Sequence, residues 1–406
     1  MEIPILRDIV VVFALSIFVN LVFTRLKIPT VVGYLITGVI AGPHLLALVK
    51  VEHNIELLAE IGVIFLLFTI GLEFSLKHLL KIRRIVFFGG FLQVTLTAGL
   101  FYVISRLFDT DWKGSLFVGF LVALSSSALV LKLLQERSEL TSNYGRTVLG
   151  VLIFQDLLLV PLLLFTNLLV NPSAHIDHEL YILILKTAFV IGLVYAGNRW
   201  LLPWLLNVIA MARNQELFTM SIFLICFAIA LLTYKLGMSL AFGAFLAGLM
   251  ISESEYSHNA FGNLIPFKDT FTSFFFVSIG MLLNLEFIRD NILLVTGSVL
   301  LVIFLKSIIA SLTGFVLGHT LRGIVIIGLS LSQVGEFSFI LAKVGFSSGV
   351  ISQFNYQLFL AIAVISMAIT PFVMNLSKPF SDWVLRFRIP GFLRNGIFPL
   401  KEVENS

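Results

Sequence analysis

The chain has 406 residues, of which 58% are hydrophobic and 12% charged, with a net charge of +4 and a mean hydropathy of +1.03. Soluble domains carry about a quarter of their residues as charges, so this composition excludes a water-soluble protein and specifies a polytopic membrane protein. No basic patch interleaved with aromatics occurs, which excludes nucleic acid, and the single cysteine, Cys226, rules out an intrachain disulfide.

A membrane span needs about 20 apolar residues, fewer where a helix is broken inside protein. The expected fold is therefore all-α, with 13 spans at 7–26, 29–48, 55–75, 83–107, 114–135, 145–170, 179–200, 215–236, 238–252, 266–284, 291–318, 321–345 and 355–377. The first is retained, because it lacks the basic n-region and cleavage site of a secretory signal. Residues 201–213 read as an interfacial connector, and 378–406 as a short cytoplasmic tail whose Arg386, Arg388 and Arg394 meet anionic lipid headgroups. Of the 27 Lys and Arg, 18 fall at helix ends on the side of the C-terminus and 8 on the other, with Lys306 inside a span. Basic residues mark the cytoplasmic face, so the C-terminus is expected inside and the N-terminus outside, in a plasma (inner) membrane.

The chain also repeats. Gly33 and Gly38 recur 210 residues later as Gly243 and Gly248, and Pro161 recurs as Pro371 at the same offset. Gly71 recurs as Gly280 at 209. Spans 1–6 and 8–13 thus form two halves, and a single linking span inverts the second, an arrangement common in secondary transporters. The glycine pairs read as close-packing positions. The same offset carries Ser125-Ser126-Ser127 in span 5 onto Gly335-Glu336-Phe337 in span 12. Matched interruptions of apolar helices point to a binding site near the midplane.

Asp156 stands halfway along the sixth span, where a charged Asp costs roughly 2.5–3.5 kcal/mol on insertion scales. It is the candidate at which a proton and a monovalent cation compete; the alternative is a fixed ion pair with a basic residue. Gln155 either supplies a carbonyl ligand or bonds a neighbouring backbone. Ser125, Ser126 and Ser127 offer the oxygen ligands that hard cations prefer, or simply let helices cross closely. Lys306 and Glu336 are the other deep charges and are expected to pair between spans 11 and 12. The acidic loop after span 9, with Glu253, Glu255 and His258, reads as a regulatory surface or as a solvated connector. No nucleophile, resident metal cluster or phosphate loop stands out, so neither an enzyme nor a cofactor is expected.

Six segments carry a family resemblance: PTVVGYLITGVIAGP from Pro29, EIGVIFLLFTIGLEF from Glu60, ALSSSAL from Ala123, Phe154-Gln155-Asp156, FFFVSIGM from Phe274 and SQVGEFSF from Ser332. In these the chain resembles the monovalent cation:proton antiporter-2 family, closest to the membrane domain of Kef-type potassium efflux antiporters. The resemblance implies two crossed, discontinuous helices at spans 5 and 12. It implies a dimerisation part (1–80 and 214–285), a core transport part (81–170 and 290–377), a linker helix (178–213) and a homodimer. It implies electroneutral K⁺/H⁺ exchange by alternating access, with Gln155-Asp156 in the Kef pattern. Kef-type proteins continue into a cytosolic nucleotide-binding regulatory domain, of which residues up to Ser406 show no pattern, so gating by such a domain is not carried over; a cytosolic regulatory domain or subunit is an expected partner. A Na⁺/H⁺ antiporter of the same fold, and a K⁺ channel-like efflux pathway, are the alternatives.

Overall fold

Hydropathy fixes where helices form here, and caps fix where they stop. The computed structural model describes residues 4–26, 28–49, 52–73, 83–108, 111–170, 202–236 and 240–386, with isolated positions between 185 and 199. Every regular element among them is helical. In chain order these are α1 (Pro4–Arg25), α2 (Thr30–Ala41) and α3 (Glu52–Glu73), then a π-helical turn (Ile85–Gly89) that opens α4 (Gly90–Leu107). Next come α5 (Trp112–Ala123), α6 (Ser127–Glu136) and α7 (Asn143–Val170). Beyond the expected seventh span, which lies outside the fully described residues, follow α8 (Leu202–Met211), α9 (Gln215–Lys235), α10 (Leu240–Ser252) and α11 (Ser257–Met281). The chain ends in α12 (Leu285–Asp290), α13 (Ile292–Val316), α14 (Leu321–Ser330), α15 (Phe337–Ser347) and α16 (Gln353–Val384).

By length and apolarity, six of the described helical segments are able to cross a membrane. Two carry large apolar side chains on their outer faces, Ile17, Phe18 and Leu21 on α1 and Leu293, Leu300 and Phe304 on α13. Such faces suit lipid and not water. The connector expected at 201–213 is the helix α8. The span placed at 266–284 begins nine residues earlier, at Ser257, and runs through Pro266. The expected acidic loop is correspondingly short, and His258 is already on α11.

Two compact units divide the chain. The first comprises Met1–Lys81 and Asp156–Leu285, the second Ile82–Gln155 and Glu286–Ser406, so the division falls within α7. In the first unit α11 and α10 both pack on α3, and α2 packs on α11. A Cβ on Gly38 would collide with the backbone of Val277 and Gly280, and one on Gly280 with Leu35 and Gly38. Gly71 and Gly248 exclude a Cβ on each other in the same way, through Phe245 and Phe68. Around these crossings lies an apolar core that includes Phe65, Phe68, Ile222, Cys226 and Leu264.

In the second unit α5 packs on α4, and α14 on α13 and α16. Two helices here are interrupted. α5 stops at Ala123, Leu124 is extended, and α6 restarts at Ser127, with the Ser126 side chain accepting from the Leu129 N–H as its cap. α14 stops at Ser330 and α15 resumes at Phe337. The interruptions touch: the Gly335 N–H donates to the Leu124 carbonyl at 3.1 Å, and a Cβ on Gly335 would strike the Ser125 backbone.

Candidate ion and proton site

A broken helix leaves backbone donors and acceptors without intrahelical partners, and in an apolar interior each must be met by protein. The second unit meets them with buried polar side chains. On α7, Gln155 is buried; its Oε1 accepts from the Ser125 N–H at 2.7 Å, and its Nε2 donates to Gln93 Oε1 at 2.7 Å and towards the Ala123 carbonyl at 3.4 Å. Gln93, on α4, donates to Thr97 Oγ1 and to the Ala123 carbonyl. An amide is suited to this work because it carries donors and an acceptor on one planar group. Of the two roles open to Gln155, the structure displays the backbone bond.

Lys306 and Glu336, expected as partners, are each held by other groups. The fully buried Lys306 ammonium donates to the carbonyls of Val122 at 2.6 Å, Gln333 at 2.7 Å and Leu124 at 3.0 Å. An ammonium has three donors, and these bonds occupy all of them. Glu336 Oε1 accepts from the Ala128 N–H at 3.0 Å and from Ser127 Oγ at 3.2 Å. The cation therefore lies on carbonyls at the C-terminal end of α5 and the anion on the first turn of α6. Each faces the helix end whose dipole attracts it, which removes the need for a direct pair.

The three serines all have protein partners. Ser125 Oγ donates to the Leu331 carbonyl at 3.0 Å, Ser126 caps α6, and Ser127 Oγ donates to Glu336. The second interruption is tied down similarly: Ser366 Oγ accepts from the Val334 N–H at 3.2 Å and donates to the Ala363 carbonyl. Ser366 stands 210 residues after Asp156, and Val334 stands 210 after Leu124. A side chain of α16 thus grips the break between α14 and α15 as Gln155 of α7 grips the break between α5 and α6.

Asp156 follows Gln155 on α7 and is buried, with 9% of its surface exposed. Of the acidic-loop residues, Glu255 and His258 are exposed and Glu253 is half-buried. The turn is held by Ser254 on the Ile251 carbonyl and by Tyr256, whose hydroxyl bonds Asn207 of α8. Among the described residues no group of three His, Cys, Asp or Glu could hold a metal ion.

Gln93 and Thr97 were not expected at this site, and Gln333 was expected only as the start of the second unwound stretch. Gln93 had a usable signal, since it is the only amide side chain in the apolar helix α4. Gln333 had a weaker one, its place in the interruption opposite Ala123 of the other half.

The comparisons agree with this architecture. Residues 10–375 match the model of the sodium/hydrogen exchanger transmembrane family. The chain is 35% identical over 359 residues to the chloroplastic K(+) efflux antiporter 2 of Arabidopsis thaliana, covering 86% of this chain and 30% of that one. It is 32% identical over 384 residues to K(+) efflux antiporter 4 of the same plant, covering 93% and 64%. K(+) efflux antiporter 5 is 31% identical over 382 residues, with 92% and 67% covered. The chain thus spans between about a third and two thirds of these relatives. Its fold is similar to the sodium proton antiporter MjNhaP1 of Methanocaldococcus jannaschii, with a TM-score of 0.60 at 16% identity over 93% of this chain and 97% of that one. This chain is a multi-pass membrane protein and belongs to the sodium/hydrogen exchanger family, among its Kef-type monovalent cation:proton antiporters.

Proposed function

We propose that the chain is a secondary active cation:proton antiporter that exchanges K⁺ for H⁺ electroneutrally, with the Asp156 carboxylate binding either ion in alternation. The observation that carries this reading is the buried Asp156, placed directly after Gln155, whose side chain accepts from the Ser125 N–H at the break. Burial disfavours a bare carboxylate, and a proton or a cation each relieves that penalty. One acid exchanging one proton for one monovalent ion leaves net charge unchanged. Ser125 and Ser127 give their hydroxyl protons to protein, which leaves their oxygens as acceptors for a dehydrated cation. Gln155 is the positioning residue for that segment.

The reading includes 13 spans in an inverted repeat with spans 5 and 12 as crossed discontinuous helices. Residues 1–80 and 214–285 form the dimerisation part of a homodimer, and 81–170 and 290–377 the transport part. The C-terminus is cytoplasmic, in a plasma membrane. Glu253, Glu255 and His258 form a docking surface for a cytosolic regulatory domain or subunit. K⁺ is preferred over Na⁺ because three of the matched relatives are named as K⁺ efflux antiporters; the sodium proton antiporter that shares the fold favours Na⁺ as the second reading.

Proteoliposomes loaded with a pH dye test both. Cation gradients should drive proton flux that saturates, ranks K⁺ above Na⁺ and Li⁺, ignores an imposed potential, and disappears in Asp156→Asn. Flux that grows without saturation and survives Asp156→Asn defines a channel instead.

A further inference from the structure

The first unit carries a groove that the exchange chemistry does not use. It lies between α1, α2 and α11 and has a volume of about 740 Å³, the size of a small-molecule site. Two rows of α1 side chains line it at helical spacing, an apolar row of Phe13, Ile17 and Leu21 and a polar row of Ser16, Asn20 and Thr24. Ile17 and Leu21 are exposed, so the groove opens onto the lipid-facing side of α1. Phe13 packs on Phe274 at one end, with ring centroids 5.1 Å apart. The other end is charged, with Arg25 in the last turn of α1 and Asp269 on α11. Asp269 pairs with Lys268 at 3.3 Å, yet its side chain stays 61% exposed. Phe13 to Arg25 is about 18 Å of helix, a little more than half of a hydrocarbon core of about 30 Å. The groove is thus about one leaflet deep, apolar near the bilayer centre and charged at the surface.

Its polar row is not satisfied from within. Ser16 is buried, at 5% exposed, and its Oγ has no hydrogen-bond partner among the described residues. Asn20 Nδ2 donates to the Ser16 carbonyl at 2.9 Å, but Asn20 Oδ1 has no such partner either. Gly33 of α2 makes room for that amide, since a Cβ there would collide with it. Unmet polar atoms are costly in apolar surroundings, and a hydrocarbon tail brings nothing to meet them. An occupant with oxygens of its own, and the water they carry, does. Charge narrows the choice. An anion alone suits Arg25 and is repelled by Asp269, and a cation alone has the reverse difficulty. A headgroup with both a phosphate and a primary ammonium suits the two together, and that ammonium donates hydrogen bonds that a quaternary amine lacks.

We infer that the groove binds one glycerophospholipid with an ethanolamine headgroup. Its phosphate sits on Arg25 and its ammonium on Asp269. The glycerol region follows Thr24 and Asn20, and an acyl chain runs along Leu21, Ile17 and Phe13. The bound lipid bridges α1 and α11. This inference rests on the membrane setting of the chain and not on the antiport reading.

Native mass spectrometry of the delipidated chain in detergent tests it, with dioleoyl lipids bearing ethanolamine, choline or glycerol headgroups added one at a time. The parent should retain one ethanolamine lipid more strongly than either of the others. Asp269→Asn should lower that retention roughly two- to fivefold, the range of an exposed ion pair, and leave choline-lipid retention as in the parent. A structural defect would lower both. Arg25→Gln should weaken all three lipids, and Ile17→Trp, which fills the groove from its exposed rim, should block all three with both charges intact. Equal retention of the three lipids by the parent, or an ethanolamine preference that survives Asp269→Asn, overturns the proposal. Displacement of the lipid by soluble glycerophosphoethanolamine also overturns it, since the site would then serve a free solute. Disulfide formation between Ile17→Cys copies, equal in lipid-rich and lipid-depleted samples, overturns it by placing a second chain in the groove. None of these outcomes bears on Asp156.

Discussion

In the first unit α2 crosses α11 at Gly38 and Gly280, and α3 crosses α10 at Gly71 and Gly248, with bare backbone against backbone. In the second, the break between α5 and α6 meets the break between α14 and α15 through Lys306, Glu336 and Ser125, while Gln155 and Gln93 hold the first break alone. Lipid tails are as apolar as leucine, so helices in a bilayer gain little from hiding apolar surface against each other. Close approach of small residues supplies dispersion instead, and needs no polar group. An unwound segment has no such option, because its free N–H and C=O must be bonded. The first solution gives fixed packing. The second gathers acids, amides and an ammonium in one place, which is what ion chemistry requires.

The contrast is open to direct test. The largest effect should come from Lys306→Met, which strips the buried Val122 and Gln333 carbonyls of their donor, leaves Leu124 with the Gly335 N–H alone, and should destabilise the second unit by about 2–6 kcal/mol. Thermal unfolding of the purified protein in detergent reads this, and a melting temperature equal to the parent's would show that the ammonium is not what holds the breaks. Gly38→Leu should follow, at about 1–3 kcal/mol of overpacking, because the obstructing atoms belong to the Val277 and Gly280 backbone. Gly262→Ala on the same partner helix α11 meets nothing within 4 Å and should leave the melt unchanged. The smallest effect belongs to Ser366→Ala, which frees one N–H at about 1 kcal/mol. Amide exchange at Val334 should accelerate while exchange in α2 and α11 stays as in the parent. Equal acceleration everywhere would erase the distinction between the units.

Much of this was legible in the chain. Spans followed from runs of Leu, Ile, Val and Phe, and the glycine pairs followed from an offset of 209 to 210 residues. The repeat reaches further than the sequence suggested. Gly38 of α2 meets Gly280 of α11, and their counterparts Gly248 of α10 and Gly71 of α3 meet each other, so the same crossing is built twice. The polar partners were harder. An ammonium and a carboxylate in one apolar region invite a direct pair, but unwound carbonyls compete for the ammonium and a helix N-terminus competes for the carboxylate. Those competitors exist only once α5 and α14 have stopped, and side-chain identity does not record that. Gln93 escaped notice for a related reason: a lone amide in α4 acquires meaning only when Ala123 and Gln155 are brought to it. The start of α11 was misplaced because Pro266 resembles a helix start, although here the helix runs through it.

The bond from Gly335 to the Leu124 carbonyl carries a further implication. Interrupted helices are commonly pictured as places where a chain yields. Here one interruption is stitched to the other by main chain, and Lys306 binds carbonyls on both. The unwound residues are therefore cross-braced, each break held by bonds to the other. Strain applied to either break is delivered to the other, so substitutions at residues 122–125 and 333–336 should be strongly non-additive, with damage at one side compensated by change at its opposite.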